Sequence, residues 1–139
     1  MGINNPSVRR ILHIGVPKGI ESYLNQIGRA GRDQKDSEVW LICNAKDFNE
    51  NEARIRSDPE LDPSARASLL HSNAALRHYH HNLSTCHWEL LQRHWGEEPS
   101  ACSGCRCGNC VRLGQDNEPP REYGELEVAS CSALALGVV

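Results

Sequence analysis

Four of the seven cysteines fall between Cys102 and Cys110, and this cluster constrains the fold more than any other feature. Cys102-Ser103-Gly104-Cys105 and Cys107-Gly108-Asn109-Cys110 are two Cys-x-x-Cys turns separated by a single residue. Each such turn can present two thiolates to one ion, and a structural Zn²⁺ needs four ligands in a tetrahedron. The N-terminus lacks a basic stretch followed by an apolar one, so no secretory signal is expected, and clustered cysteines then favour a metal over disulfides. Four ligands within so short a run would be cramped, and spacing alone leaves open whether a cysteine elsewhere completes the site. A site of four thiolates keeps no position for water, so the ion would be structural and its binding would help fold a small subdomain.

The 139 residues suffice for one ordinary domain or two small ones. A hydrophobic fraction of 39% and a single Phe argue against a large aromatic core. With a net charge of -3, any face for nucleic acid must be local. No apolar run is long enough to span a bilayer, so no membrane partner is expected.

Residues 1–48 read β-α-β: buried strands at 11–16 and 39–43 and a helix at 20–31, the pattern of a parallel sheet in an α/β domain. Residues 49–62 are polar, contain Asp58-Pro59, and read as a linker. Residues 63–113 read as a helical subdomain ending in the cysteines. Asp62 suits a helix N-cap and Pro63 the first helical position. Ala65, Leu69, Leu76 and Leu83, with Tyr79 close by, are expected on one buried face. Trp88, Leu91 and Trp95 are expected on another, with Gly96 as its stop. The tail, 114–139, has no period and is expected to be disordered.

The strongest chemistry lies in Gln26-Ile27-Gly28-Arg29-Ala30-Gly31-Arg32-Asp33. On a continuous helix at about 100° per residue, Ile20, Tyr23, Leu24 and Ile27 gather on one side and Gln26, Arg29 and Arg32 on the other. Two guanidiniums on a rigid element suit a polyphosphate, because each planar fork can bind phosphate oxygens bidentately. Asp33 is placed to orient Arg32. The competing reading is a solvated charged face. Gly28 and Gly31 weigh against it, since each costs a helix interior about 1 kcal/mol.

That octet resembles motif VI of superfamily 2 helicases in its RecQ form. Met1-Gly2-Ile3-Asn4-Asn5-Pro6-Ser7-Val8-Arg9 resembles the RecQ form of motif V, and Ile20-Glu21-Ser22-Tyr23 matches the run that precedes motif VI. The resemblance covers residues 1–113. It implies a partial RecA-like C-terminal motor lobe followed by a small helical zinc-binding subdomain. It further implies ATP-dependent 3′ to 5′ unwinding of DNA, in the service of repair, recombination or replication. Arg32 would be the arginine finger, an effect worth roughly 10³ to 10⁵ in rate. Arg29 would sit beside it at the γ-phosphate, and Gln26 would couple nucleotide to motion. Gly2, Asn4, Pro6 and Arg9 would contact the DNA backbone and link it to ATP. Asn5 departs from the family's usual Lys, which removes one cation from that contact. For the metal, the resemblance implies one zinc held by Cys86, Cys102, Cys107 and Cys110. Cys105 is the rival to Cys102, although it lies a single residue from Cys107. His78, His80, His81, His87 and His94 are expected to be packing or surface residues, and Cys43 a buried small hydrophobe.

A motor also needs Gly-x-x-x-x-Gly-Lys-Ser/Thr to cradle phosphates and an acidic pair for Mg²⁺. Neither is present, so ATP and Mg²⁺ would bind only together with a first motor lobe, and this chain alone is expected neither to hydrolyse ATP nor to unwind DNA. Met1 falls inside motif V, which suggests a portion of a longer motor. The resemblance places it with the DNA: in the nucleus if eukaryotic, otherwise in the cytoplasm or nucleoid. The rival readings are a non-catalytic zinc-containing module that binds DNA or protein, and an inactive truncated product.

Overall fold

A computed structural model of the chain describes residue 5 and residues 7–100 and 107–114. A short parallel ladder organises the first half. β1 (Arg10–Ile14) pairs with β2 (Glu38–Ile42), from Arg10 opposite Glu38 to Ile14 opposite Ile42. Parallel strands require a crossover, and α1 (Ile20–Ile27) supplies it. β2 buries Val39 and Leu41. β1 differs from the buried strand expected there: Ile14 is 86% exposed, and His13 is its one buried residue. Among the described residues β1 has a single strand neighbour, which leaves Leu12 and Ile14 facing outward.

The arginine helix is shorter than its pattern suggested. α1 stops at Ile27, and residues 28–34 form successive turns and bends. Gly28 is the C-cap, with its N–H on Leu24 O at 2.9 Å. Gly31 takes a left-handed φ of 62°, and its N–H reaches back to Val8 O at 3.1 Å. Two glycines in four residues make helix continuation unfavourable, and the left-handed residue redirects the chain toward β1.

The stretch read as a linker is mostly helix. α2 (Ala45–Ser57) starts with a capping box: Asn44 Oδ1 accepts from Lys46 N and Asp47 N, while Asn44 N donates to Asp47 Oδ2 at 2.8 Å. It buries only Phe48, Asn51 and Ile55, so its apolar stripe is too thin to stand out. Lys46–Glu50 and Glu52–Arg56 pairs support its exposed side.

α3 (Pro63–His81) begins as its signals indicated, with Asp62 Oδ1 accepting from Ser64 N at 2.8 Å and Ala65 N at 2.9 Å. Its buried face is Ser72, Asn73, Leu76, Tyr79 and His80. Ala65 and Leu69 are only half-buried, and Leu83 is exposed beyond the helix end. α4 (His87–His94) buries His87, Leu90, Leu91 and Gln92, whereas Trp88 and Trp95 are 52% and 51% exposed. Gly96 ends it with φ 72°, Glu97 N donating to Gln92 O and Gly96 N to Arg93 O. α5 (Gly108–Arg112) follows. None of the described helices is long and apolar enough to cross a membrane.

One cluster, including Ile20, Tyr23, Leu41, Phe48, Leu76 and Leu90, joins residues on both sides of position 62. Polar contacts fix the seams. α1 has no side-chain cap of its own, and Ser72 on α3 serves instead: its Oγ accepts from Ile20 N at 2.9 Å and donates to Glu21. A Cβ on Gly19 would lie 1.9 Å from that Oγ, so the approach requires glycine. Asn51 Nδ2 donates to Asn73 Oδ1 at 2.8 Å, fastening α2 to α3. His80 is buried against Phe48, with neither ring nitrogen hydrogen-bonded among the described residues.

Replacing Ser72 by Ala leaves the Ile20 amide without its acceptor. It should destabilise the chain by about 1–2 kcal/mol, read as a lower urea midpoint at unchanged slope. Burial lowers the pKa of His80 from 6.5, and the pKa values of His13 and His87 move the same way. Below 6.5 the unfolded chain then binds more protons than the folded one, so stability is full above that pH and falls as pH drops. Urea midpoints measured from pH 7.5 downward should decline, with a shallower decline in His80→Leu.

Candidate functional site

Two constellations stand out. The first is a cleft of about 370 Å³ beside β1, lined by Asn5, His13, Gln26, Arg29 and Arg32 among others. The last turn of α1 delivers Gln26, whose Nε2 donates to Ser22 Oγ at 3.0 Å. Arg29 and Arg32 come from the turns after it, and Arg32 Nε donates to Gly28 O at 3.3 Å. The three side chains expected to share a helix face therefore share a cleft although the helix has ended.

Asp33 does not orient Arg32 as expected. Its carboxylate pairs with Arg9, whose other guanidinium nitrogen donates to Lys35 O at 3.4 Å. Gly31 causes this by turning the chain under the start of β1. The Arg9 hydrogen bond holds the Asp33 carboxyl below its ordinary range. Arg9 is thus tied to the arginine turn, while Gly2, Asn4 and Pro6 lie outside the described residues. Asn5 Oδ1 accepts from Ser7 N and Ser7 Oγ.

The second constellation is sulfur. Cys86 is the N-cap of α4, Cys107 the N-cap of α5, and Cys110 lies within α5. All three are buried, and their Sγ atoms lie within 4.8 Å of one another. The Cys86 and Cys107 sulfurs are 3.9 Å apart, far beyond a disulfide bond. His87 N donates to Cys107 Sγ at 3.4 Å. Three soft ligands converging in a buried pocket can hold a metal ion. Cys102 and Cys105, the alternatives for a fourth ligand, lie outside the described residues. Among the described residues no histidine joins the group. His78 and His81 are exposed, His80 and His87 are buried, and His94 meets Glu21 at 3.3 Å. Cys43 is a buried thiol whose pKa burial pushes up to about 12, which leaves it inert.

Sequence reasoning missed the residues that hold the two cysteine-bearing segments together. Asn82 caps α3, and its Oδ1 accepts from Ser84 N and Thr85 N in a turn that leads directly to Cys86. Asn109, between Cys107 and Cys110, is fully buried and donates to Asn82 O at 2.8 Å and Thr85 O at 2.6 Å. Arg112 reaches Leu83 O at 2.7 Å. The only sequence hint was the placement of Asn109 inside a Cys-x-x-Cys turn.

No family model matches the chain. Curated relatives do. A protein of Acanthamoeba polyphaga mimivirus named as an ATP-dependent RNA helicase is 35% identical over 91% of the chain. The ATP-dependent DNA helicase RecQ of Bacillus subtilis is 32% identical over 88%, and the RecQ-like DNA helicase BLM of Xenopus laevis is 29% identical over 88%. The chain spans 23%, 20% and 9% of these relatives, respectively. The class they define is the helicases. Within it, the similarity to RecQ-type helicases over most of the chain supports a RecQ-type helicase C-terminal region.

Removing the Asn109 side chain should slacken the Asn82–Cys86 turn. Asn109→Ala is expected to weaken metal retention roughly 10- to 100-fold in competition with a chelator, the usual cost of losing a contact that orients a ligand. Val111→Ala should leave it unchanged.

Proposed function

We propose that this chain is the C-terminal portion of an ATP-dependent 3′ to 5′ DNA helicase of the RecQ family, combining the end of a RecA-like motor lobe with a structural zinc module. The observation that carries this reading is the convergence of Gln26, Arg29 and Arg32 on one cleft. Arg32 offsets the charge that develops on a transferring γ-phosphoryl group, and Arg29 holds phosphate oxygens through its planar fork. Gln26 couples the nucleotide to movement of the lobe. Arg9, with Gly2, Asn4 and Pro6, contacts the DNA backbone, and its pairing with Asp33 links that contact to the arginine turn. The phosphate-cradling loop and the carboxylates for Mg²⁺ belong to the opposing lobe. The protein would act where the DNA is, in nucleus or nucleoid.

Cys86, Cys107 and Cys110 fit zinc, and Cys102 or Cys105 completes the set. When bound, zinc supplies a rigid tetrahedral node with no open position. This chain's residues do the rest: Asn82 and Asn109 hold the two cysteine segments together, and α4 packs the module on the core.

A chimera in which this chain replaces the corresponding segment of the Bacillus subtilis RecQ helicase tests the reading. Its DNA-dependent ATP turnover should fall about 10³-fold or more in Arg32→Ala. Unimpaired turnover in that variant would refute the finger assignment. The purified chain alone should carry one zinc and show no turnover. ATP hydrolysis by it would contradict the view that half of the nucleotide site lies elsewhere.

A further inference from the structure

A second cleft, of about 390 Å³, lies between α1 and α3. Gln26 and Arg29 line both this cleft and the one beside β1. Arg32 lines only the first, and Lys18 only the second. Lys18, Ser22, Gln26 and Arg29 follow one another at intervals of four, four and three residues, the spacing that keeps side chains on one helix face. Lys18 precedes α1 and Arg29 follows it. A polar row therefore runs the length of the helix with a cation at each end, the two on the order of 15 Å apart at the helical rise.

Neither cation is neutralised by a neighbour. Among the described residues, the side chains of Lys18 and Arg29 make no ion pair and no hydrogen bond. Donors between them are also available. Gln26 Nε2 donates to Ser22 Oγ, which leaves the Ser22 hydroxyl hydrogen to donate elsewhere. The Asn25 side chain, also in the lining, makes no hydrogen bond among the described residues. Glu21 reaches the same cleft, but Ser72 and His94 engage its two oxygens. Leu69 is the one apolar side chain in the lining. A peptide draws its affinity from apolar and aromatic anchors seated in pockets, which this lining does not offer. A phosphodiester backbone needs spaced cations and hydrogen-bond donors, which it does. A single row of them suits one strand.

We propose that the α1–α3 cleft holds the phosphodiester backbone of single-stranded DNA over a few nucleotides. Lys18 and Arg29 take the phosphates, and Ser22 and Asn25 donate between them. This site is separate from the DNA contact assigned to Arg9. It rests on the helicase reading for the choice of nucleic acid, and not on the arginine-finger assignment. Because Gln26 and Arg29 belong to both clefts, the strand and the nucleotide share a wall.

The experiment measures fluorescence anisotropy of a labelled oligothymidylate with the full 139-residue chain over a range of salt concentrations. Lys18 is exposed, so its variants should fold, and unchanged urea midpoints check this. Lys18→Gln should weaken binding several-fold and make the slope of log affinity against log salt shallower by about 0.7, the loss of one phosphate contact on a single strand. Lys18→Arg should bind as the unaltered chain does. Lys46→Gln, an exposed change on α2, should have no effect. The oligothymidylate should also protect Lys18, and not Lys46, from an amine-reactive reagent. Three results would overturn the inference: no DNA binding at low salt, equal losses in Lys18→Gln and Lys46→Gln, or binding of an oligoglutamate peptide in place of the oligothymidylate. Failure of the finger assignment would appear in the turnover of the RecQ chimera and leave these affinities unchanged, so the two readings fail separately.

Discussion

Three thiols buried together set the terms for the second half of this chain. Cys86 and the Cys107–Cys110 pair come from segments about twenty residues apart, and their sulfurs meet within 4.8 Å. Small side chains gain little from burial. α5, at five residues, is far too short to persist as a helix by itself. Hydrogen bonds from Asn109 and Arg112 align the two segments. Under the proposed zinc reading, ligand bonds supply the missing stability, on the order of 10–16 kcal/mol in small zinc modules near neutral pH.

The first half depends on a different constraint, the turn at Gly31. By sending the chain back to Val8 just after α1 has ended at Gly28, it ties Asp33 to Arg9 and leaves Gln26, Arg29 and Arg32 around one cleft. Ser72 holds the other end of α1, taking the Ile20 amide and engaging Glu21, whose second oxygen meets His94 of α4. Both ends of the short arginine-bearing helix are therefore fixed by distant parts of the chain. The shared core, which includes Tyr23 and Tyr79, packs the β-α-β unit against the helical module.

Much of this is legible in the sequence because the signals are local. Asp62-Pro63 starts α3 and Gly96 ends α4 through chemistry confined to a few residues. α2 escapes the pattern because its buried stripe is only Phe48, Asn51 and Ile55, one of them polar, and its evident charges read as a solvated loop. The arginine period runs past the end of its helix, through Gly28 and Gly31, where backbone conformation overrides side-chain pattern. Hydrophobicity points Trp88 and Trp95 inward, but the face that meets α3 carries His87, Leu90 and Leu91 instead. The association of Cys86 with Cys107 and Cys110 follows from family resemblance, and the structure gathers these three. Spacing alone does not identify it, because proximity between residues 86 and 107 is a property of the folded chain.

The central claim is that the cysteine centre holds one zinc through thiolates alone. X-ray absorption at the zinc edge of the purified chain tests it most directly. The account predicts a first shell of four sulfurs at about 2.3 Å with no lighter ligand. A shell containing nitrogen or oxygen, or a folded chain that retains no zinc, would contradict it.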